Sequence, residues 1–479
     1  MNPATSSQFR LSKTSFMQFL SCPNEFWLSV HQPLLMTRDE TIDYAHRRQE
    51  GYEVESYAKQ LARFAETDTY TVDFQRTFQT EKLVARSDIV VTDKATGVID
   101  IYEIKASSKV KPEHYDDLAF QKVSAMRSGS TVRGTFVITL NSEYVRDGEI
   151  DVEQLFTIDE VTETVDAKIE GTEAAIQDAF DFLETEPIAA IENYCKDNGL
   201  NCVFIRNNFP DLPERTIFEL YTLRHEKRRE LLKEGIIALS DIPDDYKLSD
   251  KQRLHVEMSK LSSPKIDIEG IHEKLDSWQY PLHFLDYETF AYAIPQFDGI
   301  RPFQQMVFQY SLHTIDSPGA KIRHSEYLSR GDDQLSRSVA EHLRDAMSGG
   351  IGTVLVWYES FEKTRNDEMR AMFPDLADFF AEVNSKTYDL MKIFSENLYV
   401  DPRFKGRTSI KIVLPNLVPH LNYKELGISD GLEATIKWFH AAKRKLSDAE
   451  RETIFQDLLE YCTLDTMAMV EIYDVLRKL

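Results

Sequence analysis

Residues 86–91, R-S-D-I-V-V, and residues 98–107, V-I-D-I-Y-E-I-K-A-S, decide how the front of this 479-residue chain is read. Both are apolar runs of strand length, and each carries a carboxylate, Asp88 and Glu103. The second run also carries Lys105, two residues after its acid. Side chains two apart on an extended strand share a face, so Glu103 and Lys105 are expected to look into one pocket, with Ile104 turned to the core. Residues 117–121, D-L-A-F-Q, follow and place Gln121 at the opening of the next helix. A carboxylate pair binds a hard divalent cation such as Mg2+ or Mn2+. A lysine beside it can hold an attacking water or a phosphoryl oxygen, the equipment of metal-assisted phosphodiester hydrolysis.

Working outward, the length suggests about two to four domains. Hydrophobic residues make up 42% of the chain, enough for ordinary globular cores. No apolar run is long enough to span a bilayer, and the start, M-N-P-A-T-S-S-Q-F-R, lacks the apolar core of a signal peptide, so a cytoplasmic protein with no membrane partner is expected. The net charge of −24 argues against a generally basic nucleic-acid binder and suits protein partners. It leaves room for a nuclease, because bound metal ions and a local basic groove can serve instead. The basic stretches 224–233, 403–411 and 437–445 read as solvated helix faces or loops. Four cysteines in so long a chain make a disulfide framework unexpected.

The coarse organisation is α/β. Residues 1–180 read as one domain, with helices near 9–27, 47–64 and 113–127 and strands near 69–78, 82–92, 98–105 and 132–140. Residues 181–278 read as a helical connector holding Cys195 and Cys202. Residues 279–479 read as a second α/β domain, with strands at its start and helices dominating its end.

The front portion resembles the RecB-like branch of the PD-(D/E)xK nucleases, which includes the CRISPR-adaptation nucleases. The resemblance is carried by C-P-x-x-F-W at Cys22–Trp27, G-x-x-V-E ending at Glu55, then S-D, E-I-K and D-L-A-F-Q. It implies a restriction-endonuclease-like domain, with Asp88 and Glu103 as metal ligands, Lys105 positioning or stabilising charge, and Gln121 in support. Glu55 stands where the family often has histidine, and a glutamate can also bind metal. Members of that branch often carry a four-cysteine iron–sulfur cluster. Cys22, Cys195 and Cys202 match three of its ligands, and three thiolates are too few for such a cluster.

In the rear half, H-F-L-D-Y-E-T-F (283–290) puts Asp286 and Glu288 two apart on a predicted strand. Side-by-side carboxylates in a buried strand are costly unless they bind a metal or pair. Tyr461 and Asp465 are i and i+4 on a predicted helix and face the same way. Between them, V-W-Y-E-S-F-E ends at Glu362, and T-Y-D-L contains Asp389. This half resembles the DnaQ-like, RNase H-fold 3′–5′ exonucleases of the DEDD type. The resemblance implies Asp286, Glu288, Glu362 and Asp465 as ligands of two metal ions, Tyr461 orienting water, and Asp389 in support. Glu362 departs from the usual aspartate by one methylene. Together the two resemblances match an uncharacterised bacterial family joining such a front to such a rear. They imply a nuclease acting on DNA, or on RNA. The competing class is a nucleic-acid-binding or interaction protein with one or both sites decayed.

Overall fold

The computed structural model describes residues 9–36, 42–196, 199–220, 222–331, 334–423, 426–443 and 446–479. The first eight residues, read above for a signal peptide, and residues 444–445 of the third basic stretch lie outside the described residues. The chain is a mixed α/β protein. Its contacts divide it into two units, residues 1–237 with 292–304, and residues 238–291 with 305–479. The segment 181–278 is thus shared between the units, and residues 292–304 of the rear half belong to the first.

The alternating runs of the first unit form strands for the expected reason: each has apolar residues to place on both sides of a sheet. The strands are β1 (Leu11–Ser12), β2 (Tyr70–Gln79), β3 (Leu83–Asp93), β4 (Ile99–Ile104), β5 (Val132–Leu140) and β6 (Phe156–Glu160). They pair in the order β1-β3-β4-β5-β6, with β2 also on β3. The helices that matter for the site are α1 (Lys13–Ser21), α2 (Pro23–His31), α3 (Ile42–Ala58) and α4 (Pro112–Arg127). Neighbouring residues split between two cores. Val90, Ile101 and Val137 pack with Leu118 and Ala119 of α4, whereas Ile89, Tyr102 and Ile138 pack with Val54 and Ala58 of α3. Full burial of such side chains contributes roughly 1.5–3 kcal/mol each. The region read as one helical stretch at 9–27 is instead β1, α1 and α2, broken at Cys22, which is extended and whose sulfur caps α2 by accepting the Glu25 N–H.

In the second unit the strands are β7 (Lys265–Ile266), β8 (Leu282–Phe290), β9 (Met306–Ile315), β10 (Arg323–Leu328), β11 (Val354–Val356), β12 (Thr387–Asp389) and β13 (Tyr399–Val400). The main sheet runs β10-β9-β8-β11-β12, while β7 and β13 form a separate pair. Strands β8, β9 and β10 are antiparallel, and β11 is parallel to β8 and β12. Both faces are covered. Leu282 and Phe284 pack with the long C-terminal helix Asp448–Leu476, and Leu285 and Tyr287 pack with the helices Leu335–Ala346 and Glu359–Met372 on the other side. That double burial leaves β8 buried almost throughout, at its polar positions as well as its apolar ones. A carboxylate in it then stands out. No helix among the described residues is long and apolar enough to cross a membrane.

Candidate metal centres

The first cluster forms where the β3–β4 ladder stops and the β2–β3 ladder skips a pair. Strand β4 pairs with β3 from Ile89 to Thr92, so Asp88 and Glu103, the next facing positions, have no ladder bond. The Asp88 carboxylate takes over, accepting the backbone N–H of Ile104 at 2.8 Å. On the other side, β2 pairs at Phe74 and Arg76 but not at Gln75, which has a left-handed φ of 57°. Such a backbone costs a non-glycine residue about 1–2 kcal/mol. The distortion breaks the alternation of sides. Ser87 reaches α4 by donating to Gln121 Oε1, while Ile89 packs toward α3. Between them, Asp88 is held close to Glu55 of α3, because the Gln75 amide donates to Glu55 at 2.5 Å and to Asp88 at 3.2 Å.

Glu103 is buried and surrounded by donors. Lys105 Nζ lies 2.7 Å and Lys13 Nζ 2.8 Å from its Oε1, and Gln121 Nε2 donates to its Oε2 at 2.7 Å. Both lysines also reach Asp117, at 2.6 and 3.2 Å. Glu103 and Lys105 therefore share a pocket as the strand spacing requires. Gln121 is fully buried in mid-helix rather than opening it, and is a brace: it fixes Glu103 and Asp117 while Ser87 holds its carbonyl. Burial pushes the Glu103 carboxyl up, but Lys105 and Lys13 more than offset this and hold it at about 2. Asp88 goes the other way: burial, then the charge of Glu103, raise it to about 7. The two facing acids are thus one ionised and one proton-holding near neutral pH. Glu55 is held by Gln75 and by Lys59 at 2.6 Å, on the side toward Asp88.

The second cluster sits on β8 and the C-terminal helix. Ligand oxygens of Asp286, Glu288 and Asp465 all lie within 4.8 Å of one another. No lysine or arginine among the described residues makes an ion pair with any of the three; the charge of Lys411 acts on all of them, and it sits over the rings of Tyr423 and Tyr461. Burial, then Asp465, push Asp286 far above the usual carboxylate range. Burial and both neighbouring acids do the same to Glu288. Asp465 rises to about 6, because burial is partly countered by the Tyr423 hydroxyl, which donates to it at 2.5 Å, and by Lys411. Tyr461 lies near Asp465, as its spacing requires, and feels its charge. Glu362 lies in the first turn of its helix, buried, with one carboxylate oxygen lacking any hydrogen bond. After burial, the charge of Asp286 contributes most to raising its pKa. It is outside the close trio but borders it through Asp286. Asp389 is committed to structure: it accepts the backbone N–H groups of Tyr358 and Met391, both at 3.0 Å, and so shapes the turn that delivers Glu362.

Oxygen donors of this kind fit a hard divalent cation at the second cluster, whose three acids gather within 4.8 Å, whereas in the first both Glu103 oxygens are taken up by Lys105, Lys13 and Gln121. The three thiols singled out in the sequence come together, with the sulfurs of Cys22, Cys195 and Cys202 all within 4.8 Å of one another, one short of a four-thiolate set. Cys22 and Cys195 are joined in a disulfide with Cα atoms 5.3 Å apart, against the expectation of no disulfide, and Cys202 Sγ lies 3.0 Å from Cys195 Sγ. A separation of 173 residues hid this pairing, which packing in the first unit creates. The remaining cysteine, Cys462, lies beside Asp286 with Sγ 3.6 Å from its Oδ2. Sequence reading missed Lys13, Gln75, Asp117 and Tyr423. Asp117 was legible, being i−4 to Gln121 on one helix face. The others come from elements distant in sequence and leave no local signal.

Residues 283–409 match a family described as a domain of unknown function, DUF2779, which takes in Asp286, Glu288, Glu362 and Asp389 but stops short of Asp465. The chain is also similar to an uncharacterised protein, UU173, of Ureaplasma parvum serovar 3, at 28% identity over 215 residues, or 41% of this chain. The match spans 31% of that relative's length.

Proposed function

We propose that the chain is a metal-dependent nuclease that hydrolyses phosphodiester bonds in DNA, with a PD-(D/E)xK-like centre in the first unit and an RNase H-like, 3′–5′ exonuclease centre in the second. The observation that carries this reading is the trio Asp286, Glu288 and Asp465: three buried carboxylates within 4.8 Å, without an ion-pair partner among the described residues. Uncompensated buried charge of this density is strongly unfavourable. Divalent cations remove the penalty. Asp88 and Glu103, with Glu55 beside them, would hold a cation in the first centre, and Asp286, Glu288 and Asp465, with Glu362, in the second. A Mg2+ or Mn2+ bound there supplies a Lewis acid and a water of lowered pKa.

The residues of the chain do the rest. Lys105 stays protonated, because Glu103 and Asp117 outweigh its burial, and presents positive charge where a phosphoryl oxygen gains negative charge. Gln121 keeps Glu103 in one orientation. Tyr461 keeps its proton, since burial and then Asp465 push its pKa up, and so offers a donor beside the second centre. The test uses the purified full-length chain with labelled single- and double-stranded DNA and RNA, in Mn2+ or with chelator. Mn2+-dependent cleavage that Lys105→Ala, Asp286→Asn or their combination removes supports the reading. Wild-type protein that cleaves none of these substrates ends it, and cleavage confined to RNA replaces the DNA assignment.

A further inference from the structure

Beside the Glu55–Asp88 edge of the first centre lies an open groove of about 960 Å3. Its floor is the β2–β3 ladder, where Thr77 faces Arg86. Arg86 and Asp88 both line it, two residues apart on β3, or about 6.8 Å along an extended strand. That is close to one nucleotide step along a polynucleotide backbone. One wall is the face of α3 bearing Tyr52, Glu55 and Ser56, spaced i, i+3, i+4, continued by Lys59 just past the end of the helix. Val54 and Ala58 of the same helix are buried in the core, so this polar face is the one left to the groove. Three cations border the groove. Lys13 is committed to Glu103 and Asp117, and Lys59 to Glu55. Arg86 is exposed and has no ion-pair partner among the described residues. In a chain of net charge −24, an uncommitted arginine beside an acid centre is a specific place for an anion. Across from it, Tyr52 is 63% exposed and lines both this groove and the smaller pocket containing Asp88 and Glu103.

We propose that this groove binds a single polynucleotide strand, with Arg86 on the phosphate adjacent to the one at Asp88 and Tyr52 stacked on an unpaired base. The inference rests on reading the first unit as a nuclease centre and adds its strand-binding residues. An aromatic wall next to a phosphate-spaced cation suits a strand whose bases are free to stack, and a duplex keeps its bases stacked on each other.

The test is fluorescence anisotropy with a labelled 12-nucleotide thymidine strand and the corresponding duplex, with calcium in place of manganese. The full-length chain carries Asp286→Asn in every sample, to remove a carboxylate from the second centre. Arg86→Glu is expected to raise Kd for the single strand at least tenfold. Arg86→Ala should lower the salt slope of log Kd by about 0.7. Tyr52→Ala should weaken binding roughly fivefold or more, and Tyr52→Phe should restore it. Both positions are exposed, and an unchanged melting temperature establishes that each variant is folded. Variants within twofold of the parent, or tighter binding of duplex than of single strand, overturn the proposal. If Lys105→Ala abolishes cleavage while Arg86→Glu binds as the parent does, the nuclease reading stands and the groove falls. If nothing is cleaved but binding depends on Arg86 and Tyr52, the groove stands alone.

Discussion

In the first unit Glu103 meets two ammonium groups at 2.7 and 2.8 Å, whereas in the second Asp286, Glu288 and Asp465 meet chiefly one another. The first centre is stable as it stands: its central acid is ionised and its charges are paired. The second is a store of repulsion, relieved by protons when no cation is present. Buried carboxylates are thus compensated by internal counter-charges in one place and left without them in the other. This difference makes the two centres separable by experiment.

The largest expected effect tests whether the paired lysine works in chemistry. Lys105→Met should lower first-centre cleavage by roughly 10²–10³-fold while leaving the second centre's activity intact, measured with an Asp286→Asn partner variant. Next comes stability. Glu103→Gln leaves Lys105 and Lys13 with Asp117 as their one remaining acid in this cluster and should destabilise the metal-free protein by about 3 kcal/mol in urea unfolding. Asp286→Asn should do the opposite. It removes one of three repelling charges and should stabilise the metal-free protein at pH 8 by about 1.4 kcal/mol or more, the value of one pKa unit. Mn2+ should narrow that gap, because the wild type binds it better. If both substitutions change stability in the same sense, the contrast drawn between the centres is wrong.

The pH dependence follows from the same groups. Asp88 and Asp465 have folded-state pKa values raised to about 7 and about 6. Their contribution to stability is complete below their unfolded pKa near 4 and is lost as pH rises through 6 to 7. Glu103, held at about 2, acts in the reverse sense, and its contribution is lost only as pH falls below about 4. The metal-free melting temperature should therefore fall between pH 5 and pH 8, and Mn2+ should reverse the trend. The smallest effect sharpens the second centre. Tyr423→Phe removes a hydrogen bond worth about 1 kcal/mol from ionised Asp465, so the acidic limb of metal-dependent activity should move up by somewhat under one pH unit. An unmoved limb would separate Tyr423 from the centre.

Much of the scaffold was legible. The strand near 132–140 forms as Val132–Leu140, and the helix near 113–127 begins one residue earlier, at Pro112. These succeed because alternation and helical spacing are local. The pairs Glu103–Lys105 and Tyr461–Asp465 were legible for the same reason: two residues on a strand and four on a helix share a side. The helical connector failed as a separate body, because composition does not say which core a helix joins. Its Cys195 ends against Cys22.

By itself, then, the amino-acid sequence determined which residue types could serve a cation and which local pairs would share a face. Only the tertiary structure decided their electrostatic state. Lys13 is 90 residues from Glu103, and Tyr423 is 42 from Asp465, so nothing in local spacing foretells that one acid is neutralised and the other only hydrogen-bonded. The break in alternation at Gln75 and Asp88 likewise appears only when β2 and β4 flank β3, because the β3–β4 ladder ends and the β2–β3 ladder skips one pair at the same residue. Charge and strain depend on distances in space, and those are set by packing.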